Sequence, residues 1–151
     1  MKLFNVLIIL FLIIITGGFV FFKDGFNNFQ KGSNPSESSN SKVLMDRLGY
    51  FDYSERNLTS SQKNGKTVLF FAATIWCQTC QALEEEIRQK GNALPSDVTI
   101  LKVDYDNDKI MNNKYRITSQ HTLVVLDKNG KELKRWIGGN FDLLIQELQE
   151  I

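Results

Sequence analysis

Cys77 and Cys80 are the only cysteines in the 151-residue chain, and two residues separate them. The thiolate is the attacking species in disulfide exchange, so the first question is what would ionise a cysteine here. Cys77 follows the apolar run Val68-Leu69-Phe70-Phe71-Ala72-Ala73 and precedes a charged, periodic stretch, which places it where a buried strand gives way to a helix. The unpaired N–H groups and the macrodipole of a helix N-terminus favour a charged sulfur at that point. Three residues further along a helix, Cys80 shares the same face and can close a disulfide with little backbone movement. The pair reads as a dithiol/disulfide switch in which Cys77, the exposed sulfur, attacks and Cys80 resolves.

Two blander readings stand beside it. A purely structural disulfide over so short a loop removes little entropy from the unfolded chain. A metal site falls short of the usual four ligands, because the chain holds two cysteines and a single histidine, His121. It would need a carboxylate or a second subunit.

The strand, Trp76, the motif Cys77-Gln78-Thr79-Cys80 and the helix after it together resemble the thioredoxin superfamily. The resemblance runs from about Lys66 to the C-terminus, and loosely from Val43. It implies an α/β fold, a mixed central sheet flanked by helices, and disulfide exchange with protein thiols or disulfides as substrates. A further, unidentified redox partner would recycle the pair, and no cofactor or resident metal is expected. Under this resemblance Trp76 shapes the surface beside the sulfur, and Gln120 and Thr122 offer backbone contacts to an extended substrate. The reading from another class is a thiol-capture or metal- or iron–sulfur-binding module using Cys77, Cys80 and His121.

Three departures from the family pattern stand out. Phe71 occupies the place of a buried acid six residues before the first cysteine, and that acid's lysine partner falls at Ile100. The family's Gly-Pro between the cysteines is Gln78-Thr79. In the loop Ile117-Thr118-Ser119-Gln120-His121-Thr122, His121 replaces a cis-proline. A non-proline cis bond costs about 2.5–4 kcal/mol, so the bond before His121 is expected to be trans. The imidazole could hold the Cys77 thiolate by charge, shuttle a proton, join the cysteines as a metal ligand, or only hydrogen-bond its loop.

These residues need elements to position them. Ser54 to Asn64 reads as a helix that Gly65 stops, and Val68 onward as the central strand. In the helix after Cys77, Cys80, Leu83 and Ile87 fall on one face, and Gly91 and Pro95 end it. Val98 to Val103 reads as a second buried strand, with a parallel crossover between the two, and a helix starts at Asp104 and runs to about Tyr115. Thr122 to Asp127 is a third strand, Lys128 to Lys131 a turn, Glu132 to Ile137 its antiparallel partner, and Phe141 to Leu148 a closing amphipathic helix.

The remainder lies at the N-terminus. Leu3 to Phe22 is apolar apart from Asn5, Thr16 and Gly17-Gly18, and about 20 residues at 1.5 Å rise span a bilayer core. Residues 1–23 are therefore expected to be a transmembrane signal anchor, residues 24–42 a polar flexible linker and residues 43–151 the thioredoxin-like domain. Cleavage at Thr16-Gly17-Gly18 would instead release a secreted protein, and no cysteine near the segment is available for a lipid. Lys2 and the free amino terminus before the span, against Lys23 after it, give a small bias of the N-terminus inward and the domain to the extracytoplasmic side of the cytoplasmic membrane, Asp24 counting for little; disulfides persist there. A formal net charge of +1 argues against a nucleic-acid partner.

Overall fold

The computed structural model describes residues 42–43 and 46–151. The expected signal anchor and nearly all of the expected linker lie outside them. Among the described residues no helix is long and apolar enough to cross a membrane.

Five strands form one sheet in the order β1-β3-β2-β4-β5: β1 is Tyr50–Asp52, β2 Lys66–Ala72, β3 Val98–Asp104, β4 Thr122–Leu126 and β5 Glu132–Ile137. β2 and β3 run parallel, β1 joins β3 in parallel, and β4 and β5 are antiparallel additions. The sheet is mixed, as the resemblance implies. Helix α1 is Glu55–Asn64, α2 Gln78–Lys90, α3 Lys109–Tyr115 and α4 Phe141–Gln149.

Residues alternate faces along a strand, and the unbroken apolar run of β2 follows from both faces being covered. Val68, Phe70 and Ala72 pack with Cys80, Leu83 and Ile87 of α2 and with Phe141, Leu144 and Leu148 of α4. Leu69 and Phe71 pack on the other face with Leu58 of α1 and Met111 of α3. The expected buried face of α2 is thus the one that carries Cys80. Half-buried Lys102 reaches Glu84 at 3.0 Å, tying β3 to α2.

Local chemistry sets the ends. The Ser54 hydroxyl accepts the Asn57 N–H to start α1, and Gly65, at φ 151°, ends it where a Cβ would stand 2.3 Å from the Asp97 carbonyl. The third helix begins later than expected, at Lys109. The Asp104 carboxylate first accepts the backbone N–H groups of Asp106 and Asn107 in a turn, and Asp108 is the residue whose side chain caps the helix.

The register corrects one alignment. Val103, not Ile100, lies opposite Phe71, and Ile100 is opposite Val68. Phe71 is fully buried on the face away from α2. Its side chain therefore packs away from the cysteines.

Candidate active site

After β2 the chain makes a turn through Thr74, Ile75 and Trp76, closed by the Cys77 N–H on the Ala73 carbonyl at 3.2 Å. Gln81, one turn into α2, pins this loop by donating its amide to the Thr74 and Ile75 carbonyls. Cys77 is the N-cap of α2. Its Sγ accepts the Cys80 backbone N–H at 3.2 Å, so the sulfur takes the capping place of an oxygen and sits at the positive end of the helix.

Cys77 and Cys80 form a disulfide with Cα atoms 5.3 Å apart, a separation that needs no backbone distortion. Both residues are buried, at 4% and 1% exposure. The expectation of an exposed Cys77 is thus corrected: the difference has the expected sign but is small. What is exposed lies beside the pair, with Ile75 at 87% and Trp76 at 55%. The Trp76 indole N–H donates to the Asp106 carboxylate at 3.0 Å, so the ring is held against the β3–α3 loop.

His121 comes to the cysteines, as the cis-proline position implied. Its ring is 3% exposed and stands edge-on to Phe70, centroids 5.4 Å apart. Nδ1 lies 2.9 Å from the Thr79 hydroxyl, which lies 3.3 Å from the Cys77 sulfur. Nε2 has no hydrogen-bond partner. Every peptide bond among the described residues is trans, and His121 sits in the left-handed region at φ 56°. Its N–H donates to the Phe71 carbonyl at 2.8 Å, a bond that proline could not make.

Burial holds the His121 pKa below the ordinary imidazole value, against the opposing pull of the Gly139 backbone. With the cysteines joined in the disulfide the ring is therefore neutral at pH 7. While the disulfide is closed the ring thus carries no resting positive charge, and the Thr79 hydroxyl stands between it and the Cys77 sulfur.

Thr79 is the residue that sequence reasoning passed over. The signal was there, a hydroxyl two residues after Cys77 where the family has proline, but its meaning depends on the long-range approach of His121. The two remaining candidates divide. Thr122 lies in β4 between β2 and β5, with its hydroxyl on the Ser119 carbonyl, so its backbone is taken up by the sheet. Gln120 precedes the strand and stays half-buried in the loop. For a metal, one atom each from Cys77, Cys80 and His121 lies within 4.8 Å of the others.

A family model for thioredoxin matches residues 53–150. Thioredoxin of Chlamydia trachomatis is 35% identical over 85 residues, 56% of this chain and 80% of that protein. Thioredoxin of Mycoplasma genitalium is 37% identical over 78 residues, 52% and 72% of the two chains. Among solved structures, a thioredoxin of Nicotiana alata superposes with a TM-score of 0.57 at 26% identity, covering 68% of this chain and 91% of its own. That of Trypanosoma brucei brucei gives 0.55 at 29% identity, covering 66% and 87%.

Proposed function

The chain belongs to the thioredoxin family and is a thiol–disulfide oxidoreductase, and we propose that Cys77 and Cys80 are its redox pair and that it works from a membrane. In the reducing direction the Cys77 thiolate attacks a substrate disulfide and expels one substrate thiolate, which takes a proton. The Cys80 thiol then loses its proton and attacks the Cys77 sulfur of the mixed disulfide. This releases the second substrate sulfur and leaves the Cys77–Cys80 disulfide. Run backward, the same steps oxidise a substrate dithiol.

The observation that carries this reading is the disulfide at the N-cap of α2, with the Cys77 sulfur accepting a helix N–H. That bond grows stronger when the sulfur is charged, so the helix end favours Cys77 as the attacking group. Ile75 and Trp76 are exposed beside the pair, and together with the backbone of Gln120, which precedes His121 in its loop, they would supply a surface for an extended protein segment. The apolar run 3–22 supports a tether, and Lys2 with the amino terminus before it, against Lys23 after it, supports an extracytoplasmic domain.

Two experiments test the reading. Cys80→Ser should trap mixed disulfides with protein substrates, whereas Cys77→Ser should abolish exchange; trapping by the Cys77 variant would reverse the roles. In sealed inside-out vesicles the domain should resist added protease, and in spheroplasts it should be cut between residues 27 and 41. Cleavage only from the cytoplasmic side would overturn the location.

A further inference from the structure

We propose that the reduced site is also a metal site, in which the thiolates of Cys77 and Cys80 and one imidazole nitrogen of His121 bind Zn(II) and leave its fourth position open. The ligand atoms already lie within 4.8 Å of one another, on three buried residues. Zn–S bonds of about 2.3 Å and a Zn–N bond of about 2.0–2.1 Å in a tetrahedron put the sulfurs about 3.8 Å apart and each about 3.6 Å from the nitrogen. Reduction frees the sulfurs to separate, and a ring shift of about 1 Å then completes the set. Two thiolates, an imidazole and an open position are a recurrent donor set for non-structural zinc.

Three features of this chain fit the ion. Proline offers no ligand, whereas His121 brings one to the cysteines from the β4 side. Its ring is held by no well-formed hydrogen bond except that of Nδ1 to the Thr79 hydroxyl, which rotates: Nε2 makes none, although the Gly139 backbone acts on the ring and would have to give up that contact to the ion. Whichever nitrogen carries the proton, the other keeps a lone pair. Charge then selects the ion. Two thiolates, a neutral imidazole and a dication sum to zero, which suits a site packed against Phe70, Ala73 and Leu83, whereas a monocation such as Cu(I) would leave a buried net negative charge. Binding releases the two thiol protons to solvent. Metal and disulfide exclude each other, so the ion would hold the pair reduced until it leaves.

The test reads binding rather than exchange, so its failure is separable from failure of the oxidoreductase reading. Full-length protein in detergent, reduced without oxygen, is titrated with Co(II) as a spectroscopic probe and with Zn(II) against a chelator. The expected result is one ion per chain, thiolate-to-cobalt charge-transfer absorption with tetrahedral d–d bands, and no binding to the disulfide form. His121→Ala and His121→Asn should each weaken zinc binding at least about tenfold, as loss of even an outer partner does, and Cys80→Ser should abolish it. Circular dichroism of the variants checks their folding, and if neither His121 variant folds, X-ray absorption at the zinc edge of the parent decides: two sulfurs and one imidazole nitrogen are expected, and two sulfurs without an imidazole would overturn the proposal. Binding of equal strength in folded His121 variants would mean a bare dithiol and overturn the proposal, as would one ion per two chains or no binding.

Discussion

Replacing Thr79 by valine keeps the shape of the side chain and removes the one hydroxyl that touches both the Cys77 sulfur, at 3.3 Å, and His121 Nδ1, at 2.9 Å. A hydroxyl has one proton, so the chain of contacts has a direction. With Cys77 ionised, Thr79 donates to the sulfur and accepts from Nδ1–H. With Cys77 protonated, the thiol can donate to Thr79, which donates to Nδ1. Hydrogen bonding to the charged form lowers a pKa, so Thr79→Val should raise that of Cys77. A hydrogen bond to a charged group contributes about 1.5–3 kcal/mol. Thr79 is solvent-exposed, so the low end applies. At about 1.4 kcal/mol per unit, the thiolate midpoint should rise by about one unit. Thiolate absorbance against pH, checked by the rate of alkylation, measures it in the reduced protein. Thr79→Ser keeps the hydroxyl and should titrate like the parent. Equal midpoints in the valine variant and the parent, or the same rise in both variants, would refute the bridge.

Other outcomes follow from the same geometry. His121→Pro should destabilise the domain by about 2 kcal/mol in urea unfolding, because it strands the buried Phe71 carbonyl and φ 56° is closed to proline; a neutral effect would mean that the loop readily adopts another form. Phe70→Ala, at a fully buried ring against His121, should cost about 3–5 kcal/mol. Hydrogen bonds from Asn107 and Asp106 hold the Asp104 carboxyl below its ordinary value. A depressed folded pKa gives stability that is present above the unfolded value, near 3.9, and lost as pH falls through the folded one. Acid titration should therefore loosen the turn that carries Asp106, and Asp104→Asn should lessen the change in Trp76 fluorescence below about pH 4.

The elements nearest the chemistry were the most legible. The β2 run, the α2 face of Cys80, Leu83 and Ile87, and the hairpin of β4 and β5 all carry patterns that local physics dictates, and each lies within a residue or two of its expected place. Strand β1 escaped because Tyr50-Phe51-Asp52 is three residues at a sheet edge, and only pairing with β3 makes it a strand. The Asp104 to Asp108 segment misled because a run of Asp and Asn suits a helix cap at several positions, and side-chain bonds choose among them. Within the site, Cys77, Cys80 and His121 were legible as types at positions. The Thr79 bridge was not, since it depends on a contact 42 residues apart that no local pattern encodes.

The same bridge makes a prediction about redox poise. Among the described residues the buried polar side chains are Ser61, Thr67, Thr99, Asn112, His121 and Thr122, so no buried carboxylate faces the cysteines. Glu84, partly buried on the α2 side, is paired with Lys102. A like charge near a thiolate raises its pKa, and here that opposition is missing while Thr79 and the Cys80 N–H both stabilise the ionised sulfur. A stabilised thiolate favours the reduced form and moves the potential of the pair in the oxidising direction. Thr79→Val takes away one of the two donors, and one pKa unit corresponds to about 30 mV for a two-electron couple. The valine variant should thus be more reducing by up to about 30 mV at a pH where Cys77 of the parent is ionised, with the full shift fading as pH falls below that midpoint. Equilibration with glutathione or dithiothreitol buffers at two pH values measures the shift. A potential that does not move, in a variant whose thiolate midpoint does, would mean that the hydroxyl stabilises the disulfide and the thiolate equally.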